Sequence, residues 1–338
     1  MIRFAVVGLG HIGKRHADMI LRYPQFQLAA LVDADENLFP SLEARYRVPV
    51  FASLSEMKNA GVSTDVVCVC TPNGLHAEHT LFALEMLDAH VVCEKPFALS
   101  THSALQMIQA AENKQKEIFC VVQNRYSEPA KFLKKCVVED KMGKVFFIQI
   151  NCFWNRDERY YGQAGTWRGK LDLDGGPLFT QFSHFIDILY WIFGGLRVHD
   201  ARLWNFNHLH NTEFEDSGTV NFETQSGVQG TLQFSTSIYD QNYESSILIV
   251  GEKGTVKMGG QYMEKIEYCH VKDFEMPQLP PPNPANDYGA YKGSAANHHF
   301  IFEAVRQFFE AQIPNPLPPE EGYEIVRFIE DVHRFRKD

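Results

Sequence analysis

No Cys-x-x-Cys pair, no surplus of basic charge and no long uninterrupted apolar run occur in these 338 residues, and each absence removes a class of protein. The seven cysteines (Cys68, Cys70, Cys93, Cys120, Cys136, Cys152 and Cys269) are odd in number, and several sit inside apolar runs such as VVCVC and HVVCEK. There cysteine behaves as a small hydrophobe. A disulfide framework is disfavoured, and a reducing, cytoplasmic compartment is expected. Acidic residues outnumber basic ones 42 to 32, a net charge of −10. This argues against general affinity for nucleic acid or an anionic membrane, while leaving room for a local basic pocket. The N-terminal MIRFAVVG enters a strand without the basic-then-apolar pattern of a leader, so neither a signal peptide nor a membrane span is expected. Histidines are present, but His76 and His79 have nothing at ligand spacing to complete a set, and His208, His210, His298 and His299 fall in or beside loops. No metal is expected.

What is present is ordinary globular material, 45% hydrophobic and 22% charged, in a chain long enough for two domains. Apolar runs at Phe4–Gly8, Leu28–Asp33, Asp65–Pro72, His90–Pro96 and Ile118–Asn124 lack polar alternation. Helical patterns at Ile12–Tyr23, Glu36–Arg45, Leu75–Leu87 and Thr101–Lys114 separate them, the last capped by Ser100. Strands of that kind belong to a parallel sheet covered on both faces, so residues 1–124 are expected to form a doubly wound α/β Rossmann domain. Beyond residue 125 the grammar changes. A helix near Pro129–Glu139 precedes the long strand KVFFIQINCFW, and one apolar helix spans Leu178–Phe193. Strand-like segments follow at Asp200–Asn207, Gly218–Glu223, Gln229–Ile238, Ser246–Gly251 and Thr255–Met258, parted by turns such as TQSG and GEKG. Residues 125–338 are expected to be an α+β domain with a large, mostly antiparallel open sheet.

The strongest local signal is G-x-G-x-x-G at Gly8, Gly10 and Gly13, with His11 and Ile12 inside it. A strand precedes it, a helix opens within it, and Asp33 ends the next strand twenty residues after Gly13. Gly8 permits the tight turn, Gly10 lets a pyrophosphate approach the backbone, and Gly13 lets helix pack on strand. The helix N-terminus offers amides and partial positive charge to phosphate. Asp33 would bind ribose hydroxyls and repel a 2′-phosphate, favouring NAD. Two further strand ends, TPNGLH with Thr71, Pro72, Asn73 and His76, and EKP with Glu94, Lys95 and Pro96, lie where ligands of open α/β sheets bind. Alone, the first reads as a proline turn and the second as a solvated ion pair.

The order GLGHIG, LVDAD, TPNGLH, CEKPFAL and QNR, followed by GEKGTV and the apolar helix carrying His184, resembles the Gfo/Idh/MocA oxidoreductases over nearly the whole chain. The resemblance implies an NAD-dependent dehydrogenase acting on CH–OH groups of a sugar, with Lys95 and His184 as catalytic residues and often a cis bond before Pro96. It also implies that Asn124, Trp167 and Arg168 join the cofactor residues. Read alone, His184 in FSHFIDILYWIF is a core histidine. Many members carry an aspartate four residues before that histidine, and this chain has Thr180, then Gln181.

Within the family, WNRDERYYGQ, TWRG, GGPLFTQFSH and GEKGTVKMGG are most similar to the UDP-N-acetylglucosaminuronate 3-dehydrogenases. That group places asparagine then glutamine at the helix position, so Thr180–Gln181 fits it better than a polyol dehydrogenase. The implied substrate residues are Lys95, Arg156, Arg159, Tyr160, Thr180, Gln181 and His184. A guanidinium fork suits a carboxylate or pyrophosphate. The alternatives are a free-sugar or inositol dehydrogenase of the same family and a catalytically silent NAD-binding regulator. A homodimer or homotetramer joined through the second domain's sheet is implied as well.

Overall fold

The computed structural model describes residues 1–162, 165–287 and 292–336, so Gln163 of the WNRDERYYGQ stretch lies outside the described residues. The chain forms two compact units, one of Met1–Val121 with His298–Val326, the other of Val122–Asn297 with the chain from Arg327 onward. A division at residue 124 assigns everything after it to one domain. Instead the helix His299–Ala311 returns to the first unit, burying Ile301, Phe302, Ala304 and Val305. Phe302 meets Phe4 with ring centroids 6.1 Å apart, and Phe308 meets Phe119 at 5.3 Å.

In the first unit, β1 (Ile2–Val7), β2 (Phe26–Val32), β3 (Val50–Phe51), β4 (Val66–Val69), β5 (His90–Cys93) and β6 (Ile118–Cys120) form one sheet in the order β3-β2-β1-β4-β5-β6. Every pair is parallel. The helices α1 (His11–Ile20), α2 (Phe39–Tyr46), α3 (Leu54–Asn59), α4 (His76–Met86) and α5 (Thr101–Lys114) fill the connections. All of β4 is buried, as its unbroken apolar run requires of a strand covered on both faces. The Ser100 hydroxyl accepts the Ser103 amide at 3.1 Å and caps α5. β3 and α3 were not expected, being too short to show a period. The strand order reverses between β1 and β4, which opens the crevice where such sheets bind nucleotides.

In the second unit, α6 (Glu128–Val138), β7 (Val145–Phe153), α7 (Glu158–Tyr161), α8 (Pro177–Thr180) and α9 (Ser183–Phe193) precede the strands β8 (Leu196–Trp204), β9 (Ser217–Thr224), β10 (Gln229–Ser235), β11 (Glu244–Gly251), β12 (Gly254–Gly259) and β13 (Lys265–Val271). The sheet order is β13-β12-β11-β7-β10-β9-β8. Only β7 and β10 pair in parallel; the remaining neighbours are antiparallel. Ile148, Ile150 and Cys152 of β7 are buried on one face, alternating with partly exposed residues. Phe182, just before α9, packs on Trp154 at 5.7 Å and Phe234 at 5.8 Å. The single helix expected over Leu178–Phe193 is two. The Phe182 amide reaches back to the Pro177 carbonyl at 2.9 Å instead of to residue 178, which widens the turn and interrupts the ladder. The strand expected at Asp200–Asn207 begins earlier, and β13 was unforeseen. Among the described residues no helix is long and apolar enough to cross a membrane.

Candidate active site

The three glycines of the first turn have separate physical reasons. Gly8 follows β1 at φ +86°, and a Cβ there would lie 2.7 Å from the Cys70 carbonyl. At Gly13 it would lie 1.8 Å from the Gly8 carbonyl oxygen. Packing forbids a side chain at both. Gly10 differs: a Cβ would meet nothing within 4 Å, yet this residue caps α1 with no side-chain hydrogen bond. Packing does not demand glycine there. A pyrophosphate laid against the helix end does, so the turn fits a dinucleotide. Asp33, directly after β2, is anchored over the same turn: its Oδ2 accepts the Leu9 amide at 2.5 Å and its Oδ1 the Asp35 amide at 2.9 Å.

The two other strand ends are tied to each other. His76 places Nδ1 2.7 Å from the Pro96 carbonyl and Nε2 2.9 Å from the Thr71 carbonyl. Burial pushes its imidazole below the ordinary value, against the pull of those two carbonyls. His76 therefore links the turn of Thr71, Pro72 and Asn73 to the Glu94–Pro96 turn. The Thr71 hydroxyl also pairs with His79 Nδ1 at 3.0 Å. The Lys95–Pro96 bond is cis, and Lys95 is partly exposed. Glu94 is buried, with Oε1 2.8 Å from His16 Nε2 and 3.3 Å from His298 Nε2, while Oε2 accepts the Lys95 amide at 3.2 Å. Burial alone would raise the Glu94 carboxyl, but the bonds from His16 and His298 outweigh it and hold it well below the carboxylate range.

In the second unit, several sequence-named residues gather around Tyr160. Gln181 Nε2 donates to the Tyr160 hydroxyl at 3.0 Å. The guanidiniums of Arg156 and Arg168 lie 5.1 Å and 4.4 Å from its ring centroid, and Arg168 is also 5.8 Å from the ring of Trp167. Arg159 does not join them. It is exposed in α7 and paired with Asp157 at 2.7 Å and with Asp240, from the connection between β10 and β11, at 3.5 Å. Thr180 donates its hydroxyl to Asp174, a buried carboxyl that desolvation pushes up against that bond and the Gly169 amide at 2.9 Å. A carboxylate absent at position 180 is thus present at 174. His184 is buried in the first turn of α9. One turn on, Asp187 takes Arg125 in two bonds of 2.9 Å and 2.5 Å. That pair fixes α9 to the turn Gln123–Tyr126, which carries the buried Asn124.

Sequence reasoning missed Asp174, the Arg125–Asp187 pair, and His16 with His298. His16 was visible as the residue completing G-x-G-x-x-G-x-x-H, and Arg125 as the last residue of QNR; Asp174, Asp187 and His298 have no local pattern.

A six-stranded parallel sheet in this order, with a packed glycine turn and an acidic residue after β2, is the architecture of a dinucleotide-binding domain. The chain belongs to the Gfo/Idh/MocA family: residues 2–122 match the model of the oxidoreductase family with an NAD-binding Rossmann fold, and residues 131–257 match the GFO/IDH/MocA C-terminal domain. It is similar to the WlbA dehydrogenase of Bordetella pertussis, solved with NADH and UDP-GlcNAcA, at 27% identity and a TM-score of 0.85, covering 99% of this chain and 96% of that one. The WlbA dehydrogenase of Chromobacterium violaceum, solved with the same two ligands, is 28% identical with a TM-score of 0.86, covering 99% and 93%. The D-glucoside 3-dehydrogenase of Escherichia coli K12 is 25% identical over 240 residues, 69% of this chain and 67% of that protein. The cofactor is NAD, and the protein is an NAD-dependent oxidoreductase by family.

Proposed function

We propose that this protein oxidises a nucleotide-linked sugar acid of the UDP-N-acetylglucosaminuronate type at its 3-hydroxyl. The observation that carries the reading is the cluster of Arg156, Arg168 and Gln181 on Tyr160. Two guanidiniums beside one aromatic ring suit an anionic ligand that also has a flat face. A neutral polyol has no use for them. Similarity to two dehydrogenases solved with UDP-GlcNAcA supports the same choice.

Bound NAD would supply the hydride acceptor for the carbinol carbon. The chain's residues do the rest. Gly8, Gly10, His11, Ile12 and Gly13 would hold the pyrophosphate, and Asp33 the ribose. Thr71, Pro72, Asn73 and His76 would form a further wall, with Asn124, Trp167 and Arg168 as additional cofactor residues; the Arg168 guanidinium, on Tyr160 beside Arg156, would serve the anionic sugar as well. Lys95 accepts the hydroxyl proton or holds the oxygen that loses it, and His184 acts on the same hydroxyl. Arg156, Tyr160, Thr180 and Gln181 orient the sugar acid. Arg159, paired with Asp157 and Asp240, ties α7 to the connection before β11. The seven thiols are buried or half-buried in the folded chain, which supports a reducing, cytoplasmic setting.

The experiment is a panel of UDP-N-acetylglucosaminuronate, UDP-N-acetylglucosamine, glucose and myo-inositol with NAD, followed by reduced-nicotinamide absorbance. Reduction with the uronate alone is expected. Reduction with a free polyol and not with the uronate would overturn the substrate, and silence with all four would favour the regulator.

A further inference from the structure

We propose that His16 and His298 are positioning residues for Lys95, acting through the buried Glu94 carboxylate between them. This rests on the reading of Lys95 as the group that handles the hydroxyl proton.

Three distant segments meet at one side chain: α1 brings His16, the end of β5 brings Glu94, and the start of the helix His299–Ala311 brings His298. All three residues are buried. Both imidazole Nε2 atoms approach the same oxygen, Glu94 Oε1, at 2.8 Å and 3.3 Å. A lone carboxylate oxygen donates nothing when ionised, so both nitrogens donate to it. The other oxygen accepts the Lys95 amide at 3.2 Å. The carboxylate thus has its acceptors filled on both sides, and one of those bonds fixes the backbone of the residue that follows it. The rings are braced in turn. His16 stands edge-on to Phe302 at 5.2 Å and to His298 at 5.7 Å. With Nε2 carrying the proton, each Nδ1 is a bare buried acceptor without a hydrogen-bond partner. That cost is borne at two positions at once. A packing role would be met by phenylalanine or leucine at no such cost, whereas fixing a charge under Lys95 requires the N–H.

The side chain that replaces an imidazole Nε2–H most closely is a glutamine amide. The test compares His298→Ala, His298→Gln and Lys95→Ala in the full chain. Lysines are labelled by reductive 13C-methylation, and the Lys95 resonance is identified by its loss in Lys95→Ala. Its titration is then followed without substrate. The titration midpoint should shift by half a pH unit or more in His298→Ala and return in His298→Gln, with NAD affinity within twofold of wild type in both. With UDP-N-acetylglucosaminuronate, kcat should fall about tenfold in His298→Ala and recover in His298→Gln, at nearly constant KM. An unmoved Lys95 resonance in His298→Ala overturns the proposal. So does equal loss in the alanine and glutamine variants, or stoichiometric zinc in the purified protein whose removal reproduces the alanine phenotype. Full turnover in Lys95→Ala instead overturns the role of Lys95, whatever the His298 variants do.

Discussion

A carboxylate that already accepts the Leu9 amide at 2.5 Å cannot swing away from an incoming 2′-phosphate. Asp33 should therefore favour NAD over NADP by at least tenfold, about 1.4 kcal/mol. Titration of both cofactors checks this; comparable affinities would contradict it, and Asp33→Ala should narrow the gap. Lys95→Ala should lower turnover by roughly a hundredfold or more, the usual scale for a positioned acid–base group, with little change in NAD affinity. Steady-state kinetics beside a binding titration separates the two effects. At this scale the sequence was readable where residues follow one another at a fixed spacing. Gly8, Gly10, Gly13 and Asp33 announce themselves by spacing. Glu94 and Lys95 needed the family resemblance. The partners of Glu94 were hidden because His16 lies 78 positions away and His298 falls beyond the second unit's sheet. Asp174 was hidden for a different reason: it sits in a glycine-rich loop with no period, where only its contact with Thr180 gives it meaning.

Among the elements, the turn from β1 into α1 makes the sharpest claim, because its glycines should fail in different ways. Gly13→Ala puts a Cβ 1.8 Å from the Gly8 carbonyl oxygen and must displace backbone, so a loss of stability of about 2 kcal/mol or more is expected. Gly10→Ala meets open space at φ −65°, so the thermal midpoint should hold while NAD affinity falls at least tenfold. Thermal melts with and without NAD test both. If Gly10→Ala binds NAD as tightly as wild type, the pyrophosphate does not lie where we place it. The strands of the first unit were legible because burial on both faces leaves apolar runs with no alternation. The break between α8 and α9 was not, since neither proline nor glycine marks it and the interruption is one backbone bond from Phe182 to Pro177.

For the whole molecule, composition and the change of pattern near residue 125 indicated two units, but not that His298–Val326 would rejoin the first. That return depends on an amphipathic helix finding the sheet that fits its apolar face, a long-range choice that no local pattern encodes. We expect a dimer or tetramer in solution, formed through the second unit's sheet, where Phe147, Phe153, Leu248 and Val250 are left partly exposed. Light scattering at micromolar concentration should give a multiple of 38.7 kDa, and a monomeric mass would contradict this. The central claim is hydride transfer from a particular carbon of a particular kind of sugar. Incubating the protein with NAD and UDP-N-acetylglucosaminuronate deuterated at C3 tests it most directly, by mass spectrometry of the nicotinamide. Deuterium should appear in the reduced cofactor at a fraction matching the label. Reduced cofactor without deuterium would place the reaction at another carbon and contradict the account.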